Sequence, residues 1–141
     1  MIVGWEVSGD KAFNKGLDLI MAAVDDQTNI ATRSAAHLVE GYSKASFGPA
    51  HPKGTPHTPG EIRPQSITGT LRRSIEVLSI NKIGKGRWQG RVAPQTIYGR
   101  RIELGFPKGL HAYPYMQPGV DKALAPISQV YKDSWQIALR S

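Results

Sequence analysis

Cysteine is absent from all 141 residues, which removes disulfides, thiolate nucleophiles and cysteine-based zinc sites together. Long hydrophobic runs are missing too. The longest apolar stretch, Leu17 to Val24, is interrupted by Asp18 and falls far short of the roughly 20 residues that a bilayer span needs, so no membrane-spanning segment is expected. The first residues lack the basic, then apolar, then small-residue order of a secretory leader, and a protein made and kept in the cytoplasm is expected. Acids are scarce, with 11 Asp and Glu against 18 Lys and Arg, for a net charge of +7. That excess suits nucleic acid, an anionic membrane surface or an acidic protein, and does not choose among them.

What is present is ordinary for a globular chain: 40% hydrophobic and 21% charged residues, at a length that supports one core. A single domain spanning 1–141 is expected. Much of the basic excess lies in the middle, where Arg72, Arg73, Lys82, Lys85, Arg87, Arg91, Arg100 and Arg101 face only Glu76 and Glu103.

Alternation of Val3, Trp5 and Val7 with Gly4 and Glu6 predicts a short opening strand. Ser8 or Asp10 then caps a helix whose stripe is Phe13, Leu17, Ile20, Met21 and Val24. Asp25, Asp26, Thr28 and Asn29 loosen the pattern before Ile30, Ala31, Ala35, Leu38, Val39 and Tyr42 resume it, which predicts one bent long helix or two helices, stopped by Gly48 and Pro49. Six alanines between Ala22 and Ala45 make this helix slender and suited to close packing. From 48 to 64, prolines and glycines leave no regular element, and a long Pro-rich loop is expected. Thr68 can cap a turn through Arg73. Ile75 to Ile80 reads as a strand, Asn81 to Gly86 as a turn, and Arg87 to Ala93 as the partner strand, with Trp88, Gly90 and Val92 on one face and Arg87, Gln89 and Arg91 on the other. Ile97 to Leu104 is a short element of either kind, and a second loop follows Gly105. A final helix is expected from Pro118 or Gly119, with Val120, Leu124, Ile127, Tyr131, Trp135 and Ala138 as its stripe and Pro126 at a kink or in its first turn. The expected class is α+β: a long N-terminal helix and a C-terminal helix packed on a small, mainly antiparallel sheet.

Catalytic chemistry finds little support. His37, His51, His57 and His111 lack metal-ligand spacing, and His51 and His57 fall in a loop where a solvated imidazole is expected. Glu61, Glu76 and Glu103 are not paired by any spacing, and Ser74 has no nucleophile-elbow glycines around it. Gly84-Lys85-Gly86 falls in the hairpin turn rather than before a helix, so it is no phosphate cradle. No catalytic residue, metal site or cofactor is expected. Arg72 and Glu103 form a candidate ion pair, worth roughly 3 to 5 kcal/mol on breaking if buried and at most about 1 if exposed.

Three short motifs in order carry more than their composition. They are Thr68, Gly69, Leu71, Arg72 and Ser74; then Tyr98, Glu103 and Gly105; then Pro114, Tyr115, Met116 and Pro118. Following a long amphipathic helix and a Pro-rich loop, this order resembles the tail-completion, or tail-component, family of long-tailed bacteriophages, over most of the chain from Trp5 onward. Gly99, Arg100 and Arg101 depart from the family's usual residues after the tyrosine. The resemblance implies an α+β subunit of the virion neck, assembled in the host cytoplasm into a homo-oligomeric, hexameric ring between the head connector or stopper and the tail terminator or tail tube. A passing contact with genomic DNA is also implied. A tail-terminator ring protein is the near alternative by the same resemblance. The basic middle of the chain, with Trp88 and Tyr98 among the cations, keeps a small nucleic-acid-binding module as the other.

Overall fold

The computed structural model describes residues 9–50, 52, 56–65, 69–105 and 111–140. The expected strand at 2–7 lies outside the described residues, as do Ser8 and Thr68. The elements run α1 (Asp10–Ala45), α2 (Thr70–Arg73), β1 (Ile75–Gly84), β2 (Arg87–Pro94), α3 (Gly99–Leu104) and α4 (Met116–Arg140). The molecule is α+β, with two long helices and a two-stranded antiparallel sheet.

One helix of 36 residues replaces the choice between a bent helix and two. Asp25, Asp26, Thr28 and Asn29 do not interrupt it, because Thr28 returns its hydroxyl to the carbonyl of Val24 at 2.6 Å and Asp25 points to the hairpin. Gly9, not Ser8 or Asp10, is the residue before its first turn. The helix ends at Ala45, ahead of Gly48 and Pro49, with the Ser46 N–H and hydroxyl turned back on the carbonyls of Ser43 and Tyr42.

α4 lies antiparallel against α1 over the broadest interface among the described elements. Small residues meet along it: Thr28, Ala31, Thr32, Ala35, Ala36 and Ser43 are buried on α1, and Gly119, Ala123, Ser134 and Ala138 on α4. At Gly119 the contact is so close that a Cβ would lie 2.7 Å from both the Cα and the N of Ser43. Larger side chains flank the seam and complete it with polar contacts: the Trp135 indole N–H donates to the Thr28 hydroxyl at 3.0 Å, and the Tyr131 and Thr32 hydroxyls meet at 2.7 Å. The slender helix expected from the alanines is what makes this approach possible. Ile30 and Leu124, both placed in apolar stripes by spacing, are instead exposed, because alanines one position away, Ala31 and Ala123, occupy the seam.

The hairpin packs on another side of α1. Gly90 faces Ala36 and Thr32, and Trp88, Gly90 and Val92 share that inner face as the alternation predicts. β1 runs past Ile80 to Gly84, and only Lys85 and Gly86 turn, the latter at φ 66. Asn81 and Lys82 read as turn residues by polarity, but Lys82 sits opposite Trp88 on the inner face, where it finds an acid on α1. Register shifts between Val77 and Ser79 and between Lys82 and Gly84 leave Leu78 and Ile83 as extra residues, which accounts for the imperfect alternation of β1. Ile97–Leu104 resolves as the short helix α3. The last helix starts two residues before Pro118, and Pro126 lies in its interior rather than in its first turn.

Of the expected loop at 48–64, the described residues carry no helix or strand, and the Gly48 N–H donates to the carbonyl of Pro64 at 2.8 Å.

Candidate functional site

Two of the three sequence motifs meet in space. Glu103, near the end of α3, accepts hydrogen bonds from the backbone N–H groups of Tyr115 at 2.7 Å, Met116 at 2.9 Å and Gln117 at 3.0 Å. These are orphan donors at the start of α4, where the helix dipole also favours a negative charge. The acid therefore caps a helix from outside it. Tyr115, fully buried, sends its hydroxyl back to the carbonyl of Gly99 at 2.8 Å and packs its ring against Phe47, centroid to centroid 5.1 Å. Burial first, and then the nearby Glu103 charge, push the Tyr115 hydroxyl above its ordinary range. Gly99 has no room for a side chain: a Cβ would lie 2.8 Å from Pro94 and 3.0 Å from the Tyr115 oxygen. Tyr98 precedes α3 and is exposed; Gly105 ends it. Pro114 is exposed, while Met116 and Pro118 are half-buried at the start of α4.

The first motif stands apart from this clasp. Gly69 precedes α2, Leu71 is half-buried, and the Ser74 hydroxyl donates to the carbonyl of Leu71 at 2.7 Å. Ser74 also accepts from the Gln95 N–H at 3.0 Å, which ties the turn to the end of β2. The candidate pair of Arg72 and Glu103 does not form: Arg72 is exposed, and both oxygens of Glu103 are turned to the first N–H groups of α4. Opposite charges on a turn and an element expected to pack on the same sheet suggested that pair; the stronger attraction for the acid is a helix N-terminus that spacing does not reveal.

A second polar centre joins the hairpin to α1. Asp25 accepts from Lys82 Nζ at 2.8 Å and from the Trp88 indole N–H at 3.1 Å, and the Lys82 bond, followed by the Trp88 bond, holds its carboxyl below the ordinary 3.8. Beside it, a groove of about 750 Å³ runs between α1 and the hairpin turn, lined by Ile20, Met21, Val24, Lys82 and Lys85 among others. In the loop, Arg63 grips Glu61 through two guanidinium bonds of 2.8 Å and holds its carboxyl down to about 2. His57 is not a freely solvated imidazole: it stacks on Tyr113, with centroids 4.0 Å apart, and meets the carbonyl of Arg63 at 2.9 Å. His51 lies outside the described residues. His37 sits 3.3 Å from Glu40 on the surface of α1. Among the described residues no three His, Asp or Glu side chains converge as a metal ion would need, and no helix is long and apolar enough to cross a membrane.

The most extensive feature escaped the sequence. Gly119 meets Ser43, Tyr131 meets Thr32 and Trp135 meets Thr28, a nearly constant antiparallel offset that brings Arg140, the last described residue of α4, to about the level of Ala23. The first turns of α1, from Asp10 to Ala22, therefore extend beyond α4 by roughly 20 Å. Phe13 is 67% exposed there, and Leu17, Leu19, Ile20 and Met21 are also open to solvent. The stripe was legible; that it stays exposed was not. No family model matches the chain, and no curated protein or solved structure matches it.

Proposed function

We propose that this chain is a non-catalytic structural subunit that works by ring assembly, as a tail-completion protein in the neck of a long-tailed bacteriophage virion. The observation that carries assembly is the uncovered first stretch of α1. Its apolar side chains, Phe13, Leu17, Leu19, Ile20 and Met21 with Ala12 and Gly16, cover more than half of the helix circumference, while Lys11, Asn14, Lys15 and Asp18 occupy the remainder. A helix apolar over so wide an arc calls for neighbours on two sides. A subunit in a ring has two neighbours, joined by head-to-tail contacts that close on themselves. Leu124, Ile137 and Leu139 on α4 are exposed as well, on different sides of that helix.

The place in a phage neck rests on the order of the three sequence motifs, from Thr68–Ser74 through Tyr98–Gly105 to Pro114–Pro118. Two of them build the clasp that fixes the start of α4 against α1, a role that explains why a glutamate, a tyrosine and glycines stand at those positions. In this assignment the subunits form a hexamer between the head connector or stopper and the tail terminator or tail tube. No cofactor takes part. Electron microscopy of the particle tests it: density for this chain as a ring below the portal is the expected result, and absence of the chain from mature virions overturns it. A ring at the top of the tail tube, rather than on the head side of the joint, would move the assignment to a tail terminator.

A further inference from the structure

We infer that the outer face of the β1–β2 hairpin is a binding surface for the phosphate backbone of duplex DNA. The register puts Ser79 opposite Arg91 and Asn81 opposite Gln89, with Arg87 beside Gly84 at the turn end, all on the face turned away from α1. The opposite face is settled independently, since Gly90 meets Ala36 and Lys82 reaches Asp25. Arg87, Gln89, Arg91 and Asn81 are exposed, and neither arginine joins an ion pair among the described residues.

Side chains two apart on a strand lie roughly 6.6 Å from each other, so Arg87, Gln89 and Arg91 make a straight row about 13 Å long. Duplex DNA carries a phosphate every 3.4 Å of rise on each strand, and such a row spans several of them. Ser79, Asn81 and Gln89 are donors suited to phosphate oxygens, the bulge residues Leu78 and Ile83 are exposed beside them, and Glu76, the acid on this face, sits at the far end opposite Ala93. The row carries no aromatic ring. Trp88, the one ring on β2, is turned to the inner face and bonded to Asp25, so the surface lacks the stacking platform that single strands require. Charge without stacking fits a double-stranded backbone read without regard to sequence. The surface holds whether or not the chain is a neck subunit; in a neck it would face DNA in transit.

The test is fluorescence anisotropy of the full chain with a random-sequence 30-base-pair duplex between 50 and 200 mM salt. Replacing Arg87→Gln and Arg91→Gln together is expected to weaken binding on the order of tenfold at the low-salt end and to flatten the log–log salt slope by about two. The thermal midpoint should not move, because both side chains are exposed. Equal affinity and slope for the parent and the double variant overturn the inference. So does binding of polyglutamate, but not DNA, that the same substitutions abolish, since the partner would then be an acidic protein. A parent chain that forms the ring in particles yet does not bind the duplex would remove this inference alone, and duplex binding that depends on both arginines in a chain missing from virions would remove only the neck assignment.

Discussion

The two ends of α1 follow the same helical rules and meet opposite fates. At its C-terminal end the helix is pinned by small residues: Ser43 lies against Gly119, Phe47 beyond the helix packs on Tyr115, and Glu103 holds the first N–H groups of the opposing helix. At its N-terminal end the large apolar residues Phe13, Leu17, Leu19, Ile20 and Met21 stand uncovered. Burial here tracks the closeness of the backbones more than the hydrophobicity of the side chains. Alanine, serine and glycine are inside because two helices touch through them, and leucine and phenylalanine are outside because, among the described residues, no second helix packs on them.

The contrast is broken most severely at the pinned end. Gly119→Val drives a branched side chain into the backbone of Ser43, which has no flexible tip to give way, and should cost about 3 kcal/mol or more. Urea unfolding monitored by circular dichroism measures it; an unchanged midpoint would mean that the helices are not in backbone contact there. Glu103→Ala removes the shared acceptor of three N–H groups and is expected to cost about 2 kcal/mol, with Glu103→Gln costing less because one oxygen acceptor remains. If alanine and glutamine were equally damaging, negative charge rather than hydrogen bonding would be the main contribution. Leu17→Asp, at the open end, should change the stability of the isolated subunit by no more than about 0.5 kcal/mol, since it leaves no cavity. The same change should abolish higher-order assembly in sedimentation velocity. A large loss of subunit stability would show that the first turns of α1 are covered within the chain after all.

Much of the scaffold was legible from residues. The stripe from Phe13 to Val24, the alternation of Trp88, Gly90 and Val92, and the prolines and glycines after Gly48 each follow from local rules of period and backbone freedom. The places where spacing failed share one cause. Lys82 was read as a turn residue because its acid, Asp25, is 57 positions away, and Glu103 was assigned to Arg72 because α4's open N-terminus is invisible until the chain folds back. Ile30 and Leu124 fell outside the seam because one residue's rotation of a helix, set by its partner, decides which side is covered.

Local pattern alone determined the class of the fold, the helical character of the stretches that become α1 and α4, the hairpin, and the basic character of its middle, because these depend on neighbours a few residues apart. Only the tertiary structure decided that α4 pairs with α1 from Thr28 to Ser43, that Phe13, Leu17 and Leu19 at the start of α1 stay exposed, and that Arg87 and Arg91 stand on the outer face of the hairpin. Those outcomes turn on relative lengths and offsets of elements far apart in sequence, which no local period encodes.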